Sequence, residues 1–359
     1  MPACDVCLKS FKQKSHLAKH KERKRPCVKD TTLETLVAQK VQEALQNVIV
    51  ANAVVPTTIT KPLLKWVGGK TQILDSVLSR FPPVIRHYYE PFLGGGSVLL
   101  GLLGLLSSGK IKVTGTVYAS DVNKNLIAFY RNVQGVDTLE PLLAELKTLC
   151  AEYDGLTGKT VNRAPTNLEE AKTSQESYYY YVRGQYNGLT GETKYGVRAS
   201  AMLLFLNKTG FRGVYREGPH GYNVPFGHYT NPTVYDETEV RRVSALIRNV
   251  VFRDMSWSVA LSDLGTEDFV YLDPPYAPET DTSFVGYTAG GFGPDDHTAL
   301  FARIAALKTA GVPFLMSNAD VKLVRDAFPS PTYTTIGITA RRAINSKNPE
   351  SVTKEVLIQ

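Results

Sequence analysis

The stretch "YYEPFLGGGS", residues 88–97, decides how this chain folds. Tyr88 and Tyr89 favour a strand, Pro91 stops one, and Gly94 to Gly96 lead into Ser97 and a leucine-rich run. Proline removes a ladder donor, and glycine permits turns that a Cβ would block. The pattern predicts strand, tight turn, helix. Such a turn lets a ligand approach the backbone, although a plain tight turn would need glycine as well. Outward from it, "TGTVYASDVN" (114–123) is a second strand ending at Asp121. "LIRNVVFRDMSW" (246–257), "DFVYLDPPY" (268–276) and "VPFLMSNAD" (312–320) supply later strands. "TALFARIAALKTAG" (298–311) is an amphipathic helix closed by Gly311. Alternating strands and helices imply an α/β fold, a Rossmann-like, doubly wound, mostly parallel sheet. Ligands of such sheets lie beyond the carboxyl ends of the strands. Gly94–Gly96, Asp121, Asp273 and Ser317–Asn318 all fall at strand ends, which points to one shared site.

With 359 residues, 43% hydrophobic and 21% charged, the chain is expected to be globular. No long apolar run predicts a membrane span, and no apolar leader opens the sequence. An intracellular protein of cytoplasm or nucleus is expected. The net charge of +7 is concentrated at the start: residues 1–27 carry eight Lys or Arg against two acids. A compact cationic module suggests a polyanion partner such as nucleic acid. Three of the four cysteines, Cys4, Cys7 and Cys27, lie in the same module. Together with His20, thirteen residues after Cys7, they form a Cys-Cys-His-Cys metal set with a stretched last interval. Phe11 and Leu17 stand where a small zinc finger keeps its apolar core. His16 competes as a ligand, but it falls too early for that frame, so Cys27 is preferred. A core this small needs structural zinc to fold.

Four segments follow from these signals. Residues 1–29 form the finger, and 30–60 a helix and linker. Residues 61–134 and 236–359 form the sheet domain, interrupted by 135–235. "DTTLETLVAQKVQEALQNVIV" (30–50) carries an apolar stripe at helical spacing. That stripe fits either packing on the next domain or a dimer contact. The interruption is irregular, with "SYYYYVRGQYN" (177–187) and "LNKTGFRGVYREGPHGYNVPFGHY" (206–229) rich in aromatics, glycine and arginine. A long inserted helical subdomain of this kind is more often functional than idle.

The motif Asp273-Pro274-Pro275-Tyr276 admits a plain strand-stop reading and a chemical one. An adenine N6 is a weak nucleophile because its lone pair is delocalised into the ring. A carboxylate from Asp273 and the Pro274 carbonyl would accept both amino hydrogens and localise that pair. Pro275 stiffens the backbone, and Tyr276 can stack on the base. The base must first leave the duplex. Asp121, at the end of the strand after the glycine turn, is placed for ribose hydroxyls. The glycines do not keep the GxGxxG spacing, which disfavours NAD.

In this order the motifs resemble the Dam-like, D12-class N6-adenine DNA methyltransferases, over roughly Lys61 to the C-terminus. "KPLLKWVGGK" (61–70) is similar to that family's opening cofactor motif, "YEPFLGGGS" to its glycine motif, and "ASDVN" (119–123) to its acidic motif. Residues 206–229 resemble its target-recognition segment, "DPPY" its catalytic motif, and "MSNAD" (316–320) and "ARRAIN…KEVLI" (340–358) its closing motifs. The resemblance implies S-adenosylmethionine as donor and double-stranded DNA as partner. It implies that Trp66, Lys70, Asp121 and Asp273 bind the cofactor and that Glu90, Phe92 and Gly94 line its pocket. Arg216, Tyr222, Asn223 and Pro225 would lie at the DNA. His228 stands where many GATC-specific members carry Arg, so GATC leads as target without being fixed. The other readings are methylation of RNA or of a protein glutamine, or DNA binding by an inactive domain. The finger resembles those of large DNA viruses of eukaryotes, which makes such a virus a candidate source.

Overall fold

The chain, seen here as a computed structural model, is described over residues 1–7, 9–22, 60–278, 291–341 and 352–359. Met1–Pro56 and Thr57–Gln359 form two units. The expected helix over 30–50, with its dimer role, and Cys27 lie outside the described residues. In the first unit, a β-bridge pairs Ala3 with Ser10 and a helix spans Lys14–Lys21.

The second unit is built on a seven-stranded sheet. Its strands are β1 (Tyr88–Glu90), β2 (Val117–Asp121), β3 (Val250–Asp254), β4 (Phe269–Leu272), β5 (Phe314–Ala319), β6 (Thr335–Arg341) and β7 (Val352–Ile358). Their spatial order is β6-β7-β5-β4-β1-β2-β3. β5, β4, β1, β2 and β3 run parallel, whereas β7 is antiparallel to both β5 and β6. This is the doubly wound sheet that the sequence predicts, and it adds an antiparallel pair that the sequence reading did not include. Strand order reverses between β1 and β4, so the ligand crevice of the fold opens there.

Side-chain alternation explains why the sheet is covered on both faces. On β4, Phe269 and Tyr271 join one buried cluster while Val270 and Leu272 join another. Leu315 and Leu357 repeat the first set, and Phe314, Met316, Val356 and Ile358 the second. Successive strand residues point to opposite faces, so a strand buried on both sides must be apolar throughout. One face is covered by α1 (Ser97–Ser107) and α2 (Lys124–Gln134), through Leu99, Leu102, Leu126 and Phe129. The Asn123 side chain caps α2 by accepting the Leu126 N–H at 3.1 Å.

Three helices of the inserted segment, α3 (Val136–Asp154), α4 (Gln175–Asn187) and α5 (Val197–Thr209), pack through Tyr153, Tyr178, Tyr179 and Phe205. These residues belong to the same buried cluster as α1 and α2, so the insertion shares the sheet's core. The opposite face is covered by α6 (Pro294–Thr309) through Leu300, Ile304 and Leu307. No helix among the described residues is long and apolar enough to cross a membrane.

Candidate active site

A cavity of about 570 Å³ opens at the β1/β4 reversal, a size that suits a nucleoside-bearing ligand. Its floor is the glycine turn after β1. Gly94 has φ +50, and a Cβ there would come within 3.0 Å of the Trp66 indole. Trp66 therefore packs on bare backbone, and any larger residue would displace it. Asp121 ties the turn down: its Oδ2 accepts the Gly94 N–H at 3.1 Å and its Oδ1 the Asn123 N–H at 2.9 Å. Burial raises the Asp121 pKa, and these N–H groups work against that.

Lys70 reaches the far wall. Its backbone N–H bonds Ser97 Oγ at 3.1 Å, and its ammonium donates to the Gly68 carbonyl at 2.6 Å. The same ammonium pairs with Asp273 Oδ2 at 2.7 Å and lies 4.9 Å from the centre of the Tyr276 ring. Asp273 follows directly on β4. Burial pushes its carboxyl up to about 6, with Lys70 opposing the shift. Glu90, at the end of β1, is 2% exposed and accepts a 2.6 Å bond from the Tyr88 hydroxyl. Burial pushes it up to about 8. Lys70 is thus paired with Asp273, while Glu90 beside them favours its protonated form.

The chain leaving the DPPY motif is fixed as well. Asn318 Oδ1 accepts the Ala277 N–H at 3.0 Å and the Ala319 N–H at 2.8 Å. The Tyr276 hydroxyl donates to Glu355 Oε2 at 2.8 Å.

Trp66, Lys70, Glu90, Phe92, Gly94, Asp121 and Asp273 with Pro274, Pro275 and Tyr276 all line this one cavity. The residues expected at DNA lie elsewhere. Arg216 is exposed, and its guanidinium bonds the Asn223 side chain at 2.7 Å across a short hairpin (Glu217–Gly218 with Gly221–Tyr222). Pro225 is exposed, and its carbonyl accepts the Phe211 N–H at 2.8 Å. His228 is exposed at φ +52, packs edge-on against Phe226, and lies 3.9 Å from Glu176.

Tyr222 corrects the expectation. It is 1% exposed, wedged against Tyr186 and Tyr215, so its side chain serves packing and does not face a ligand. Several lining residues had escaped the sequence reading, among them Tyr215, Trp257, Asp296 and Glu355. Glu355 stands in the closing motif "KEVLI", which carried no role for it. In the first unit, ligand atoms of Cys4, Cys7 and His20 lie within 4.8 Å of one another, as a shared metal ion requires.

Residues 66–344 match the family model described as D12 class N6 adenine-specific DNA methyltransferase. Among similar proteins, the type II methyltransferase M.MjaIII of Methanocaldococcus jannaschii is 35% identical, over 72% of this chain and 84% of its own. The retron Ec67 DNA adenine methylase of Escherichia coli is 30% identical, over 80% and 87% respectively. The DNA adenine methylase of Haemophilus influenzae is 27% identical, over 82% and 91%. None of the three is viral. Among solved structures, the rRNA methyltransferase aviRa of Streptomyces viridochromogenes aligns with a TM-score of only 0.29 at 16% identity, over 86% of this chain and 88% of that one. So low a score has no bearing on the fold. A sheet that reverses at a glycine-lined cavity, with DPPY at its edge, defines an α/β methyltransferase. The chain belongs to the D12 class N6 adenine-specific DNA methyltransferase family.

Proposed function

We propose that the protein methylates N6 of an adenine flipped out of duplex DNA, with S-adenosylmethionine as donor. The observation that carries this reading is Asp273, held by Lys70 and set beside Tyr276 in the cavity that the glycine turn and Asp121 also line. The residues fit the donor. Bare backbone at Gly94 and the flat faces of Trp66 and Trp257 suit a nucleoside, Asp121 a ribose, and Glu90 a polar group of the amino-acid end. Bound there, the donor supplies an electrophilic methyl group.

The chain does the rest by placement. Lys70 occupies Asp273 Oδ2, and Oδ1 accepts one amino hydrogen while the Pro274 carbonyl accepts the other. These preorganised acceptors draw the N6 lone pair out of the ring and stabilise the positive charge that grows on it. Tyr276 offers a stacking face that offsets part of the cost of unstacking the base. Arg216 and Asn223, with Pro225 and His228 on the same segment, form the DNA-reading surface. Arg is the usual reader of guanine, and GATC is the first site to test. The Cys4, Cys7 and His20 cluster fits structural zinc.

The test is label transfer from methyl-labelled S-adenosylmethionine to plasmid DNA, followed by nucleoside analysis. N6-methyladenine is expected, with Asp273→Ala reducing it by at least about 10²-fold. Label in RNA or a protein amide, or DNA left unlabelled by the wild-type chain, rejects the reading. Protection against methylation-sensitive nucleases then identifies the site.

A further inference from the structure

We infer that Glu355 is a positioning residue for methyl transfer: its carboxylate pins the phenol of Tyr276 and so fixes the ring face that the flipped base meets. This rests on the function proposed above. Glu355 sits in the middle of a three-stranded stretch, opposite Ala319 of β5 and Ile338 of β6. Its place is therefore set by ladder pairing on both sides. It lines the same cavity as Asp273 and Tyr276, and its Oε2 accepts the Tyr276 hydroxyl proton at 2.8 Å.

The geometry leaves Tyr276 little other freedom. Two prolines precede it, and the Ala277 N–H after it is held by Asn318 at 3.0 Å. What remains is rotation of the side chain about its own torsions. The bond to Glu355 removes that rotation at the far end of the ring, while the Lys70 ammonium lies 4.9 Å from its centre. The bond has an electronic side as well. A phenol donating to a carboxylate enriches its ring in electrons, and an electron-rich face attracts positive charge. The reacting base acquires such charge at N6 as the methyl arrives. Glu355 acts on the reaction through Tyr276 and does not itself touch the reacting atoms.

The test uses the full chain and a duplex with 2-aminopurine at the target adenine to report flipping, alongside single-turnover methylation of the natural duplex. Glu355→Ala is expected to slow the single-turnover step about tenfold, as for a lost hydrogen bond to a charged group. It should also blur the fluorescence change, with S-adenosylmethionine affinity unchanged. Glu355→Gln is expected to retain most of the rate, because its amide oxygen still accepts the phenol proton. Tyr276→Phe removes the same bond from the other side. It should match Glu355→Ala, and the double variant should be no slower than either single one.

Wild-type rates in Glu355→Ala, or additive losses in the double variant, overturn the inference. Equal loss of donor binding in the Ala and Gln variants overturns it too, by making Glu355 a cofactor ligand. A wild-type chain that methylates no adenine overturns the function proposed above, and the inference with it. Wild-type methylation with an indifferent Glu355 overturns the inference alone.

Discussion

Asp273 accepts an amino hydrogen strongly and stabilises the growing positive charge only as a carboxylate, and burial pushes it up to about 6. Methyl transfer is therefore expected to fall as pH drops through about 6. Lys70 holds the carboxyl down, so Lys70→Met should move that limb to higher pH. A single-turnover pH profile of both proteins checks the shift, and an unmoved limb would remove Lys70 from this role. Glu90 makes a separate prediction about stability. Its folded pKa of about 8 lies above the ordinary 4.5. Between those values the folded chain keeps a proton that the unfolded chain has released, so stability declines as pH rises across the window. Glu90→Gln mimics the protonated form and should flatten the decline. Relative to wild type it should melt higher at pH 9 than at pH 5, whatever its absolute stability. Parallel melting curves at the two pH values decide the point.

At the scale of elements, the turn after β1 and the hairpin of the inserted segment meet through aromatic rings. Trp66 stacks on Tyr215 with ring centres 5.2 Å apart. Tyr215 donates to Glu217 at 2.6 Å and directly precedes Arg216. Tyr215→Ala is expected to weaken S-adenosylmethionine binding several-fold through loss of this stack. It should also reduce the mutual enhancement of donor and DNA binding, measured by titrating each with the other present. Unchanged affinity and unchanged coupling would mean that the two elements act independently. Local signals explain what the sequence made legible here. The glycine turn and the DPPY strand end are encoded within a few residues, and alternation with helices predicts the sheet that brings them together. Glu355 and Tyr215 arrive from far along the chain through antiparallel pairing and ring stacking, which no local pattern announces. Tyr222 shows the opposite limit. In a segment rich in glycine and aromatics, nothing distinguishes a buried tyrosine from one presented to a ligand.

The whole molecule divides at about residue 56 into units that are expected to respond separately to metal removal. On the zinc reading proposed above, a chelator should unfold the helix Lys14–Lys21 and leave donor binding intact, because every described residue that lines the cavity belongs to the second unit. Titration of S-adenosylmethionine with and without chelator tests this, and loss of binding would tie the finger to the catalytic body. A last consequence follows from the border of the sheet at β3. Gln134 on α2 donates to the Val250 carbonyl at 2.7 Å, and Arg131 to the Phe252 carbonyl at 2.8 Å. Open strand borders invite other chains to add to the ladder. Here two of the acceptors that an incoming strand would need are already taken by side chains of the neighbouring helix. The helix thus blocks this border of the sheet to an incoming strand, through two residues well away from the chemistry.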